Sequence, residues 1–127
     1  MLPDYYHNST AWKASYERPR FQEFQLGFVR HIDSMQAKSL VFSGQAMLVD
    51  LRETEETMEG KPALPNGYLE CPLSGFESAF NLVPNDLPVI FMCAHGIRSM
   101  RVAAWFQEQG RPDVFNLDGG FTCWEQD

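Results

Sequence analysis

Val89-Ile90-Phe91-Met92-Cys93-Ala94-His95-Gly96-Ile97-Arg98-Ser99-Met100-Arg101-Val102-Ala103-Ala104-Trp105-Phe106 decides the architecture of this chain. Its first four residues are apolar without a break and follow Pro88, the pattern of a strand buried on both faces of a parallel sheet. From Ser99 onward Val102, Ala103, Trp105 and Phe106 recur at helical spacing, and Gly110 is placed to stop the helix. Between strand and helix runs a six-residue loop, opened by Cys93 and closed by Arg98. A parallel strand that runs into a helix N-terminus turns backbone N–H groups toward whatever sits above the loop, and such junctions hold anions.

The same geometry bears on Cys93. A sulfur beside N–H groups and the positive end of a helix is favoured as thiolate over thiol. Arg98, and Arg101 about one turn along, would add positive charge. Gly96 supplies a residue able to take positive φ, which a tight loop folding back over its own sulfur needs. These features describe a nucleophilic thiolate in an anion-binding cradle made of Ala94, His95, Gly96, Ile97, Arg98 and Ser99. The plainer reading of a lone cysteine at a strand end is burial as a small hydrophobe. Cys, Gly and Arg sharing one strand–helix junction favour the nucleophile.

Outward from this stretch the chain keeps an α/β rhythm from residue 31. Asp33 or Ser34 can cap a helix over 35–43, with Ile32 placed for a hydrophobic staple and Gly44 for the stop. Met47-Leu48-Val49-Asp50-Leu51 is the next strand, and Asp50 falls near its C-terminal end, the edge where open parallel sheets carry their sites. Asp50 and Arg52 either enter the chemistry or hold neighbouring loops by charge-assisted hydrogen bonds; the structural role is the one we expect. Residues 52–67 form a charged, turn-rich loop. Tyr68 through Leu73 reads as a short strand with Cys71 in the core, and a helix over 75–83 ends at Pro84. Val114-Phe115-Asn116-Leu117-Asp118 is the last strand, Gly119-Gly120 turns the chain at the same edge as Cys93, and Trp124 anchors a short terminal helix. Cys123 falls in that helix; a resolving thiol for Cys93 is conceivable, and a core or surface role is the plainer reading.

Composition narrows the class. With 127 residues, 44% hydrophobic and 13% aromatic, the chain suits one globular domain with a real core. No apolar run approaches the roughly 20 residues of a membrane span, and the N-terminus shows neither basic start nor apolar h-region. Three scattered cysteines make no disulfide framework, so a reducing, cytoplasmic setting is expected. A net charge of −7 without a basic stripe argues against nucleic acid. A small anion is still admissible as substrate, because long-range repulsion is screened within about 10 Å while loop amides and Arg98 act at contact. His7, His31 and His95 do not fall with cysteines at metal-ligand spacing, so no metal or organic cofactor is expected. Residues 1–30 carry Tyr5, Tyr6, Trp12, Tyr16, Phe21, Phe24 and Phe28. That makes an aromatic-rich extension expected to strap onto the domain or a second subunit, or to wall the site or dock a partner.

The run Cys-x-x-Gly-x-Arg-Ser at 93–99 resembles the active-site loop of the single-domain rhodaneses, a sulfurtransferase family. Leu48 through Glu53 with Glu55-Glu56 resembles that family's first signature, and Asn116 through Phe121 with Trp124 its C-terminal one. The resemblance spans residues 31–127 and implies a rhodanese-like α/β domain, a central parallel sheet of about five strands with helices on both faces. One departure stands out: many relatives carry a Gly-His-Ile-Pro-Gly-Ala run where this chain reads Gly60-Lys61-Pro62-Ala63-Leu64-Pro65-Asn66-Gly67, which changes one pocket wall. The implied chemistry passes a sulfane sulfur from a small anionic donor such as thiosulfate, through a Cys93 persulfide, to cyanide or a thiol, including a protein thiol. The resemblance also suggests thiosulfate or a protein persulfide over mercaptopyruvate, because mercaptopyruvate-using relatives carry small and hydroxyl residues where Ala94, His95 and Arg98 stand here. Two other classes compete: a non-enzymatic interaction or regulatory module, and a phosphatase or arsenate reductase. The retained cysteine argues against the first, and the six-residue loop, one shorter than in related phosphatases, against the second.

Overall fold

A computed structural model describes residues 9–64 and 68–126. Tyr5, Tyr6 and the Pro65-Asn66-Gly67 turn, singled out in the sequence, lie outside the described residues. In chain order the elements are α1 (Thr10–Ala14), β1 (His31–Ile32), α2 (Ser34–Phe42), β2 (Met47–Asp50), α3 (Thr54–Thr57), β3 (Tyr68–Glu70), α4 (Phe76–Ala79), β4 (Val89–Met92), α5 (Ile97–Glu108), β5 (Val114–Leu117) and α6 (Gly120–Gln126). The strands form one sheet in the order β1-β5-β4-β2-β3, every pairing parallel.

The expected central strand is β4, and all four of its residues are buried. Alternation along it divides the core into two layers. Ile90 and Met92 join Ile32, Leu48, Phe115 and Leu117 beneath Ala37, Leu40 and Val41 of α2 and Phe121 and Trp124 of α6. Val89 and Phe91 join Val49 and Val114 beneath Met100, Val102, Ala103 and Phe106 of α5. Phe91 stacks on Phe106 at 5.2 Å between ring centroids. Burying each such ring stabilises the fold by about 1.5–3 kcal/mol.

Local signals set the helix ends as expected. Asp33 caps α2 by accepting from the Gln36 N–H at 2.8 Å, and Gly44 takes φ 75° just beyond the helix. Gly110, at φ 92°, follows the last turn of α5.

Two expectations need correction. The helix over 75–83 is broken into a 3₁₀ turn at Leu73–Gly75, the four-residue α4, and a second 3₁₀ turn at Phe80–Leu82. Pro84 holds Val83 extended at φ −65°, ψ 125°, so the last turn tightens before it and Phe80 swings out over Trp105. The strand over 68–73 stops at Glu70, although Cys71 is buried as expected and burial pushes its thiol up. Trp105 is 40% exposed, at the edge of the α5 face that Phe106 buries.

Parallel strands deliver their C-terminal ends to one edge. Asp50 closes β2, Cys93 follows β4 and Asp118 follows β5. The candidate site is assembled there.

Candidate active site

The loop after β4 folds back over its own sulfur. Gly96 takes φ 89°, and its N–H donates to Cys93 Sγ at 3.2 Å. The Ser99 N–H, in the first turn of α5, donates to the same sulfur at 3.3 Å, and Ser99 Oγ lies 3.2 Å away. The Cys93 and Ala94 carbonyls are turned outward and accept from the N–H groups of Phe121 (2.8 Å) and Thr122 (3.2 Å) at the start of α6. With its carbonyls engaged behind it, the loop presents donors to the sulfur. Gly120, at φ 69°, makes this approach feasible, because a Cβ there would stand 2.5 Å from both carbonyl oxygens. Cys93 itself is 1% exposed.

The remaining loop residues divide by position. Ala94 is half-buried, His95 is exposed with Nδ1 3.3 Å from Thr122 Oγ1, and Ile97 opens α5. Arg101 is exposed one turn along α5. Arg98 does not simply overhang the sulfur: its Nη1 and Nη2 donate as a fork to Glu56 Oε1 and Oε2, both at 2.8 Å. These bonds hold the guanidinium above its ordinary range, with the Cys93 sulfur a smaller influence in the same direction. Glu56 is itself placed by the capping box it forms with Glu53 around α3.

Arg98's hydrogen bonds bring the Glu56 carboxyl down to about 2. A carboxylate depressed in the fold stabilises it above its unfolded value and loses that contribution as pH falls through the folded value. Both side chains are 33% exposed, so the pair is worth no more than about 1 kcal/mol. The stability gap between wild type and Glu56→Gln, read from thermal melts, is expected to be constant above about pH 4.5 and to close toward pH 2.

Asp50 and Arg52 form a buried pair that stays out of the sulfur's surroundings. Asp50 Oδ1 accepts from the Arg52 N–H and Nε at 3.0 Å, and Oδ2 accepts from Nη2 at 2.8 Å and Tyr68 Oη at 3.3 Å. Arg52 also donates to the Gly60 carbonyl at 2.9 Å and lies over the Phe121 ring at 3.8 Å. The pair ties β2, the following loop and α6 together beside the site. Lys61, in the run that departs from the resemblance, pairs with Glu70 at 3.4 Å.

Sequence reasoning missed four participants: Glu56 as the partner of Arg98, and Gln22, His31 and Asn116 behind the sulfur. Asn116 and His31 had a signal, since each is a polar residue inside an otherwise apolar strand and each is fully buried. Gln22 had none. It lies in the segment between α1 and β1, which runs along the sheet edge and over the loop. Tyr16 bridges the backbone of His31, and Asp118 accepts from Tyr16 Oη (2.5 Å) and from the N–H groups of Arg20 (2.7 Å) and Phe21 (3.1 Å). This pins the segment across the turn at Gly119, with Gln22 against Gly96. Cys123 packs against Gly119 and is in no disulfide.

The comparisons with known proteins agree with this geometry. The profile of the Rhodanese-like domain family matches residues 33–127. The thiosulfate sulfurtransferase GlpE of Pseudoalteromonas translucida is 31% identical over 104 residues, 76% of this chain and 89% of that protein. The GlpE of Pseudomonas aeruginosa is 35% identical over 89 residues, 70% of this chain and 77% of its own. Among solved structures, the human single-domain sulfurtransferase TSTD1 superposes with a TM-score of 0.60 at 26% identity, over 76% of this chain and 96% of that one. Fold, the Cys93–Ser99 loop and the matched span together place this chain in the rhodanese-like domain family.

Proposed function

We propose that the protein is a rhodanese-type thiosulfate sulfurtransferase that carries the transferred sulfur on Cys93. The observation that carries this reading is the sulfur's setting: nearly buried, at the C-terminal end of the central strand, with two backbone N–H groups aimed at it. The names and 31–35% identity of the GlpE relatives support the substrate class. In the first step the Cys93 thiolate attacks the outer sulfur of thiosulfate. A Cys–S–S⁻ persulfide forms, the S–S bond of the donor breaks, and sulfite leaves with the bonding pair. In the second step cyanide or a thiolate attacks the outer persulfide sulfur and returns Cys93 as thiolate.

The chain's own groups serve both steps. The Gly96 and Ser99 N–H groups offset negative charge on the inner sulfur without reorganising. Arg98, held by Glu56 and influenced by the Cys93 sulfur, supplies the positive charge that meets the donor and its departing anion. A reducing setting such as the cytoplasm suits this chemistry, because a free thiolate is needed and Cys71, Cys93 and Cys123 form no disulfide. Among the described residues, no helix is long and apolar enough to cross a membrane.

The test is the mass of the purified protein before and after thiosulfate, followed by peptide mapping. A gain of one sulfur atom on the Cys93 peptide, removed by cyanide, is expected. If neither thiosulfate nor an organic persulfide adds sulfur to Cys93, the proposal is wrong.

A further inference from the structure

Behind the sulfur, a run of buried side chains connects Cys93 to the N-terminal strap, and the direction of each hydrogen bond can be worked out from backbone partners. Gln22 Oε1 accepts from the Gly119 N–H at 2.9 Å, while its Nε2 donates to the carbonyls of Gly96 (3.2 Å) and Phe24 (3.1 Å). That fixes which end of the Gln22 amide is oxygen. Gln25 Nε2 donates to the Glu17 and Gly27 carbonyls, so Gln25 Oε1 accepts from His31 Nε2 at 2.6 Å. His31 therefore carries its proton on Nε2 and offers a lone pair at Nδ1. Its burial, which pulls its titration down, agrees with a neutral ring.

Asn116 sits between these two acceptors. Its Nδ2 donates to Gln22 Oε1 at 3.2 Å and to His31 Nδ1 at 3.1 Å, so its Oδ1 must point the other way. There it accepts the Ser99 hydroxyl at 2.6 Å. Ser99 has one proton, and Asn116 takes it. The hydroxyl thus shows only lone pairs to Cys93 Sγ at 3.2 Å. This suits a thiol, whose S–H can donate to Ser99, and opposes an anionic sulfur, which needs donors.

We propose that Gln22, Gln25 and Asn116 are positioning residues through which the seated strap turns the Ser99 proton away from Cys93, and that releasing the strap's two amides lets Ser99 donate to the anionic sulfur. With Gln22 and Gln25 gone, His31 can move its proton to Nδ1 and Asn116 can turn its amide. Asn116 then donates to Ser99, and the serine proton reaches the sulfur. The strap is a restraint on the nucleophile that the matched family span, 33–127, does not contain.

The proposal rests on Cys93 being the reacting sulfur, and its test needs no sulfur donor. The rate of iodoacetamide alkylation of the Cys93 peptide is followed from pH 5 to pH 10 by mass spectrometry. The other ionisable groups on the elements packed against the loop are Arg98 and Glu56, His95, His31, Asp118 with Tyr16, Cys123 beside Gly119, and the Asp50–Arg52 pair, which makes no hydrogen bond to the sulfur. They are the same in every variant compared. Ser99→Ala is expected to react faster than wild type, by about ten-fold at pH 7, with its profile displaced to lower pH. A Ser99 that donates to the sulfur at rest would give the opposite sign, slower reaction and a profile displaced upward, and that result overturns the proposal. The Gln22→Ala/Gln25→Ala variant is expected to shift the same way, and to add no further displacement in the Ser99→Ala background. If it instead speeds alkylation by one factor at every pH, the strap only shields the sulfur and the proposal also fails. A silent thiosulfate reaction beside these alkylation shifts would refute the sulfurtransferase reading alone.

Discussion

Replacing Cys93 with serine is expected to lower thiosulfate:cyanide turnover by at least about three orders of magnitude while leaving the melting temperature within a few degrees of wild type. The substitution keeps the volume and the two N–H contacts from Gly96 and Ser99 but removes the atom that forms the S–S bond. A serine hydroxyl at neutral pH holds its proton, and its hydrogen-bond neighbours among the described residues, the Gly96 and Ser99 N–H groups and Ser99 Oγ, include no His or carboxylate to take it. Initial rates by thiocyanate formation, read beside a thermal melt, check both halves. Turnover within ten-fold of wild type would move the nucleophile to another thiol. Cys123 would be examined first, since it packs against Gly119 of the same sheet edge.

How much of this was legible in the sequence depends on the range of each interaction. The cradle at 93–99 reads directly because it is local: a buried strand, a glycine that must take positive φ, and a helix start within seven residues. The sheet follows almost as readily. Strands β2, β4 and β5 are short, mostly apolar runs, and burial on both faces demands that composition. The helix over 75–83 failed for the opposite reason. Phe76, Ala79, Phe80 and Val83 do have helical spacing, but Pro84 dictates the backbone of Val83 and periodicity does not register that constraint.

The long-range partners were not legible. Arg98 finds Glu56 across 42 positions, and Gln22 finds Asn116 across 94. The acidic run around Glu53, Glu55 and Glu56 offers several carboxylates, and only the capping box of α3 selects which of them faces the loop. Gln22 is one glutamine in a segment whose visible feature is its aromatics. Of those aromatics Tyr16 fastens to Asp118, while Phe21, Phe24 and Phe28 are 56%, 61% and 70% exposed and the polar Gln22 lies against the loop. A side chain that satisfies buried backbone groups can be more tightly specified than an apolar one, because each donor and acceptor left without a partner costs about 1–3 kcal/mol.

The Asp50–Arg52 pair makes the strongest demand of this kind. Arg52→Met is expected to destabilise the fold by about 3–5 kcal/mol, a large share of a small domain's 5–15 kcal/mol, seen as a drop in the denaturation midpoint with unchanged slope. Asp50 is fully buried, and without the guanidinium its carboxylate keeps, among the described residues, the backbone N–H of residue 52 and Tyr68 Oη as donors. Removing one charge from a buried pair leaves the other desolvated without compensation, and that penalty exceeds what the intact pair contributes. Arg52→Lys restores the charge but not the fork to Asp50, the bond to Gly60 or the stacking on Phe121, so it should recover only part of the loss. The informative comparison is Asp50→Leu/Arg52→Met. If the cost is desolvated charge, the double variant will be more stable than Arg52→Met alone, even though it has lost more polar contacts. If the cost is the lost tie between β2, the Gly60 turn and α6, the double variant will be no better than the single. Sulfur transfer separates these accounts further. Asp50 and Arg52 do not touch the sulfur, so any variant that stays folded at the assay temperature should keep turnover within about ten-fold of wild type.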